Sequence, residues 1–113
     1  MSFNKITLVG NVGKNPTIKE FNGDKIAEFS IATTETIKGE KSTIWWNCIL
    51  WGKRAEVIEK YVTSGSQLYV EGRVRQRPYT DKNGVERVWQ EVNVTEFQLL
   101  GKRDEAGDDD LPA

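Results

Sequence analysis

One stretch, Gly52–Val62, departs from the alternating pattern that fills the rest of the chain. There Ala55, Val57, Ile58, Tyr61 and Val62 recur at helical spacing and give one apolar side. Thr63-Ser64-Gly65 ends the stretch. On both sides of it the apolar residues alternate with polar ones, the period of two that sends one strand face into a core. Ile6–Val12 predicts a first strand, with Gly10 at a bulge or bend. Thr17–Phe21 and Lys25–Thr34 follow, joined by Asn22-Gly23, a hairpin-turn signal. Thr36–Ser42 reads as a polar loop and Thr43–Trp51 as a third long strand. After the helix, Gln67–Arg77 predicts a fourth strand. Asp81-Lys82-Asn83-Gly84 predicts a second turn, and Val85–Leu100 a fifth strand with Val88, Val92 and Val94 in alternation.

A chain of 113 residues holds one small core and so one domain. All-β structure with a single helix between the third and fourth strands is the order of an OB-fold, a five-stranded Greek-key barrel. In such a barrel the helix plugs one end. The fold does not assign a function, because OB barrels bind oligonucleotides, oligosaccharides and proteins.

Composition removes most enzyme chemistry. There is no histidine, so the commonest general base and metal ligand are missing. Cys48 is the only cysteine, which excludes an internal disulfide and a thiolate zinc cluster. Between apolar neighbours it reads as a buried small hydrophobe. Gly10-Asn-Val-Gly-Lys-Asn15 has the wrong glycine spacing for a phosphate loop, and no Ser or Thr follows its lysine. Glu56 and Glu59 lie beside Lys53, Arg54 and Lys60 as a solvated helical face. Neither an enzyme site nor a metal or cofactor is expected. No apolar run approaches the roughly 18 residues of a membrane span. The N-terminus enters alternating sequence at once, without a signal-peptide pattern, so a cytoplasmic location is expected.

What the chain does carry is a row of cations beside aromatics. In Leu68–Tyr79, Arg73, Arg75 and Arg77 alternate with the apolar Leu68, Val70 and Val74, and Tyr79 continues the row. On a strand their stems would stand about 6.6 Å apart on one face. That row is either a solvated charged face or a track for a flexible polyanion with flat bases. The third strand sharpens the choice. Trp46, Cys48 and Leu50 take the core parity, which turns Trp45 and Trp51 outward or into an interface. Bases would cover such rings, and stacking stabilises by about 1–3 kcal/mol per base. A partner subunit would cover them too. Trp89 is out of phase with Val88 and Val92, and it either extends the platform or buries at a subunit contact.

The net charge of −1 hides a split. Residues 1–103 hold 16 basic and 12 acidic side chains, while residues 104–113 hold five acidic and no basic ones. A mildly basic body, residues 1–101 as a domain, is expected to carry a short disordered acidic tail over 102–113.

Several segments taken together resemble the bacterial single-stranded DNA-binding proteins of the replication type. They are Asn4–Gly13, Ile31-Ala-Thr-Thr-Glu35, Trp45–Glu56 with Leu50-Trp-Gly-Lys53, Gly65–Gly72, Tyr79-Thr-Asp81 and Asp108-Asp-Asp-Leu-Pro112. The resemblance implies an OB-fold homotetramer, a dimer of dimers paired through first-strand edges. It implies a protein that coats single-stranded DNA with little sequence preference during replication, recombination and repair, near the nucleoid. Stacking would fall to Trp45, Trp51 and Tyr79, with Trp89 as an addition. Phosphate contacts would fall to Lys53, Arg75 and Arg77, joined by Arg73 and Lys5. Asp108, Asp109, Asp110, Leu111 and Pro112 would recruit replication, recombination and repair proteins.

Departures from the pattern matter. Ile37 stands where a further aromatic is common, Trp46 where an interface histidine is common, and Ala113 where the family ends in Phe. An acidic tip without its terminal ring keeps its attraction for basic residues and loses its fit to an apolar pocket, so partner binding is expected to be weakened. The competing readings are a replication-restart OB adaptor and another OB ligand-binding module, for instance one that stacks sugars on Trp. Neutral sugars gain nothing from Arg73, Arg75 and Arg77.

Overall fold

The computed structural model describes residues 1–102 and comprises six strands and one helix. They are β1 (Ile6–Val12), β2 (Thr17–Phe21), β3 (Asp24–Ile37), β4 (Glu40–Trp51), α1 (Ala55–Tyr61), β5 (Ser66–Thr80) and β6 (Glu86–Lys102). β1 pairs antiparallel with β5 along Ile6–Asn11, then bends so that Asn11 and Val12 meet Ala32 and Ile31 of β3. β3 runs antiparallel to β4, and β5 to β6. The ring closes where β4 and β6 run parallel, at Cys48 opposite Val92 and Ile49 opposite Asn93. Five strands, β1-β5-β6-β4-β3, thus form the closed OB circuit. The Asn22-Gly23 turn joins β2 and β3 as expected: β2 is a short strand on the stretch of β3 that β1 leaves open, with Thr17 opposite Glu28.

Closure needs a sharp bend in β1, and Gly10 provides it. A Cβ there would collide with the Ala32 carbonyl oxygen and the Ile31 side chain. Two register shifts between β5 and β6, at Gln67/Leu68 and Glu71/Gly72, do the same for β6. Each bulge bends a strand and resets which residues face inward. The core gathers Leu8, Phe29, Ile31, Leu50, Leu68, Val70 and Val92 from the strands. Ala55, Ile58 and Val62 enter it from α1, which packs against β2 and β3 at one end.

Several expectations need correction. Tyr61, placed on the apolar side of the helix, is exposed, as is Val88. Tyr61 ends α1 on its outer side, while the next residue, Val62, turns into the core. Val88 lies on the part of β6 that runs out beyond the barrel, where its inward parity has no core to meet. Val74 is half-buried at the rim for the same reason. The largest difference is at Thr36–Ser42. It is a tight hairpin in which Ile37 faces Glu40 across Lys38 (φ 52°) and Gly39 (φ 82°). Positive φ at both central residues is the geometry that joins two twisted strands. The ribbon is polar because it projects from the barrel, and a bond between Thr34 Oγ1 and Thr43 Oγ1 (3.0 Å) ties it.

Cys48 is buried, its Sγ 3.8 Å from the Trp46 carbonyl oxygen, and burial pushes its thiol up to about 12. No described helix is long and apolar enough to cross a membrane.

Candidate nucleic-acid interface

β4 sets the first part of the site. Its outward residues are Trp45, Asn47, Ile49 and Trp51, so the two exposed rings sit about 20 Å apart along the strand. Trp45 lies over Gly13: a Cβ there would come within 2.6 Å of ring atom Cζ3. The glycine makes room for the ring. Trp51 takes Phe21 edge-on, with centroids 6.2 Å apart and planes at 86°. Each ring thus has a neighbour against it and remains about half exposed.

The β5–β6 hairpin supplies the second part. Arg75 faces Glu91, Arg77 faces Trp89 and Tyr79 faces Arg87 across the ladder. Its outer face is a checkerboard of cations and rings. Arg87 was not among the expected site residues, yet counting back from the Asp81–Gly84 turn would have paired it with Tyr79. Asp81 fixes the tip. It accepts from the Asn83 and Val85 amides (2.9 and 3.0 Å) and from Arg87 Nε (2.7 Å). The Arg87 guanidinium, then the Val85 amide, hold its carboxyl below the usual carboxylate range.

An open groove of about 320 Å³ joins the two parts, lined by Asn47 and Ile49 on one side and Arg77, Trp89 and Glu91 on the other. Trp45 is 57% exposed, Trp51 47%, Tyr79 45% and Trp89 41%. Trp89 thus points outward and beside Arg77, which settles its parity.

The cations differ in what they hold. Arg77 Nε is 2.9 Å from Glu91 Oε1. Lys5 Nζ is 3.1 Å from Glu71 Oε1, away from the groove lining. Glu71 also accepts from the Tyr69 hydroxyl at 2.5 Å, and Tyr69 first, with Lys5, keeps its carboxyl below the ordinary range. Lys53, Arg73 and Arg75 are exposed and make no ion pair among the described residues. Arg73 and Arg75 leave a backbone pinned by Asn4, whose side chain bonds both the carbonyl (2.8 Å) and the amide (3.2 Å) of Val74.

Lys53 follows a loop anchored at both ends. The Gly52 amide donates to the Lys25 carbonyl (2.9 Å), and Arg54 Nη2 donates to the Thr95 carbonyl (2.7 Å) while lying 5.8 Å from the Phe97 ring centroid. Arg54 is structural, and sequence reading gave it only a place on a solvated helix face. Trp46 is half-buried and donates from Nε1 to Thr33 Oγ1 (2.9 Å). The acidic tip, Asp108 to Ala113, lies outside the described residues.

A closed OB barrel with propped, outward rings beside unpaired cations belongs to the class of oligonucleotide-binding barrels. More narrowly, the chain belongs to the Single-strand binding protein family, whose model matches residues 3–100. It is 38% identical over 109 residues to Single-stranded DNA-binding protein 1 of Xylella fastidiosa, covering 90% of this chain and 80% of that one. It is 37% identical over 111 residues to the Single-stranded DNA-binding protein of Bacteroides thetaiotaomicron, covering 91% and 69%. The Neisseria meningitidis Single-stranded DNA-binding proteins are 35% identical, and the chain spans 64% of their length. Among solved structures, a Plasmodium falciparum SSB complex with ssDNA superposes with a TM-score of 0.80 at 29% identity, covering 88% of this chain and 97% of that one.

Proposed function

We propose that this protein binds and coats single-stranded DNA with little sequence preference, by binding alone and without catalysis, in replication, recombination and repair. What supports the reading is that Trp45 and Trp51 stand exposed on β4, and Trp89 and Tyr79 stand exposed on the β5–β6 hairpin that also carries Arg73, Arg75 and Arg77. Rings stack on any base, and the cations follow the phosphates, so neither device reads sequence.

Oligo-dT titrated into the protein is expected to quench tryptophan fluorescence and to bind less tightly as salt rises. Each phosphate neutralised contributes about −0.7 to the log–log slope, so Arg73, Arg75 and Arg77 give about −2 per subunit. Absent quenching or a flat salt response would refute the reading.

The homotetramer belongs to the same proposal. Among the described residues β1 is paired on one edge by β5, while its other edge meets β3 only at Asn11 and Val12. The Ile6–Gly10 edge is open to a second copy.

The tail, which begins after β6 ends at Lys102 and not at 102 as expected, is proposed to contact partner proteins through Asp108, Asp109, Asp110, Leu111 and Pro112. Ala113→Phe is then expected to tighten capture of a basic repair helicase, by supplying a ring for an apolar pocket. Equal capture by both tails in a pull-down would sink that idea.

A further inference from the structure

Of the two carboxylates that line the groove, Glu28 and Glu91, Glu91 is the nearly buried one. Its side chain is 11% exposed and lines the groove with Arg77, Trp89 and Asn47. A carboxylate there repels the phosphates that the surrounding cations attract. Holding Arg77 does not account for it, since the Arg77 side chain is 62% exposed and an ion pair with so exposed a partner contributes little. Desolvating the carboxylate works against the same pair.

Its chemistry accounts for it better. An ionised carboxylate is acceptor-only, and its two oxygens can take several donors, so it can keep Arg77 and accept from a ligand as well. Trp89 lies two residues away on the same face of β6, about 6.8 Å along the strand. A base stacked on that ring would have its edge within reach of the carboxylate. In a single strand the pairing edge is free to be read. Cytosine presents its 4-amino group and adenine its 6-amino group, both donors, whereas thymine presents the O4 acceptor in that place.

We propose that Glu91 reads one base of the bound strand, favouring a base with an exocyclic amino group over thymine. This rests on the single-strand-binding reading and adds one specific position to it.

The test compares oligo-dC and oligo-dT of equal length in slightly alkaline buffer, on the full chain and on Glu91→Gln. Homopolymer affinities also reflect stacking and chain stiffness, so the informative quantity is the dC-to-dT affinity ratio and how the substitution changes it. Glutamine offers an acceptor and a donor and should serve both bases. The ratio is expected to fall about three- to tenfold in Glu91→Gln, the scale of one polar base contact. If both affinities shift by the same factor, Glu91 serves only Arg77 and the proposal fails.

A second arm needs no variant. An oligomer of the 2-pyrimidinone nucleoside, which is cytosine without its 4-amino group, is expected to bind the unaltered protein several-fold more weakly than oligo-dC. Equal binding overturns the proposal even if Glu91→Gln does not fold. If none of the oligomers binds, single-strand binding itself fails, an outcome distinct from a lost preference.

Discussion

Trp45→Ala is expected to weaken oligo-dT binding by roughly tenfold or more, and Trp45→Ala with Trp51→Ala by roughly a hundredfold or more. One base–ring stack stabilises by about 1–3 kcal/mol, and about 1.4 kcal/mol is tenfold in affinity. The two rings are about 20 Å apart and share no neighbour among the contacts described, so their effects should add. The barrel should survive, because both rings are about half exposed and outside the core cluster. Trp45→Phe should restore most of the binding, since it returns a flat face over Gly13. Fluorescence anisotropy with labelled oligo-dT measures each step. A Trp45→Ala protein that is folded by circular dichroism and binds as tightly as the parent would remove Trp45 from the interface.

Gly10→Ala is expected to destabilise the fold by about 1–3 kcal/mol or more, the usual cost of forcing an extra group into a packed interior. The added methyl has no flexible neighbour to displace. It meets the Ala32 backbone carbonyl at the place where β1 leaves β5 for β3. Relief requires the two strands to part, and that opens the ring. Urea denaturation followed by tryptophan fluorescence should show the midpoint falling with the slope unchanged. Gly39→Ala, at a turn with φ 82° and open space around its Cβ position, serves as a comparison with backbone strain but no clash. A Gly10→Ala midpoint equal to the parent's would mean that the strand crossing is looser than described.

The barrel was legible because its signals are local. The helix between alternating runs, Asn22-Gly23 and Asp81–Gly84 each follow from residues near in sequence. The same holds for Trp45 and Trp51, whose parity follows from Cys48 and Leu50 on the same strand. What could not be read depends on residues far apart. The groove exists because β6 comes alongside β4, and nothing near Trp89 in sequence announces Asn47. Arg77 reads as a free cation until Glu91 is placed diagonally across the ladder. Arg54 looks like one more charge on a solvated helix until the Thr95 bulge turns a carbonyl toward it. The polar ribbon around Gly39 was missed because a hairpin that leaves the core needs no apolar face, and apolar alternation was the signal being followed.

The ring of strands is closed by a short seam. β4 and β6 register at two residue pairs, whereas β3 and β4 register at twelve. The hairpins on either side form between near neighbours, but the seam joins Cys48 to Val92, so its loop-closure entropy is the larger. Cys48 and Ile49 on one side of the seam, and Trp89 and Glu91 just beyond it on the other, all line the groove. A strand lying in the groove would therefore span the closing joint of the barrel from the outside. Occupancy and closure would then be coupled, and a bound polymer would act as a clasp on the fold that holds it.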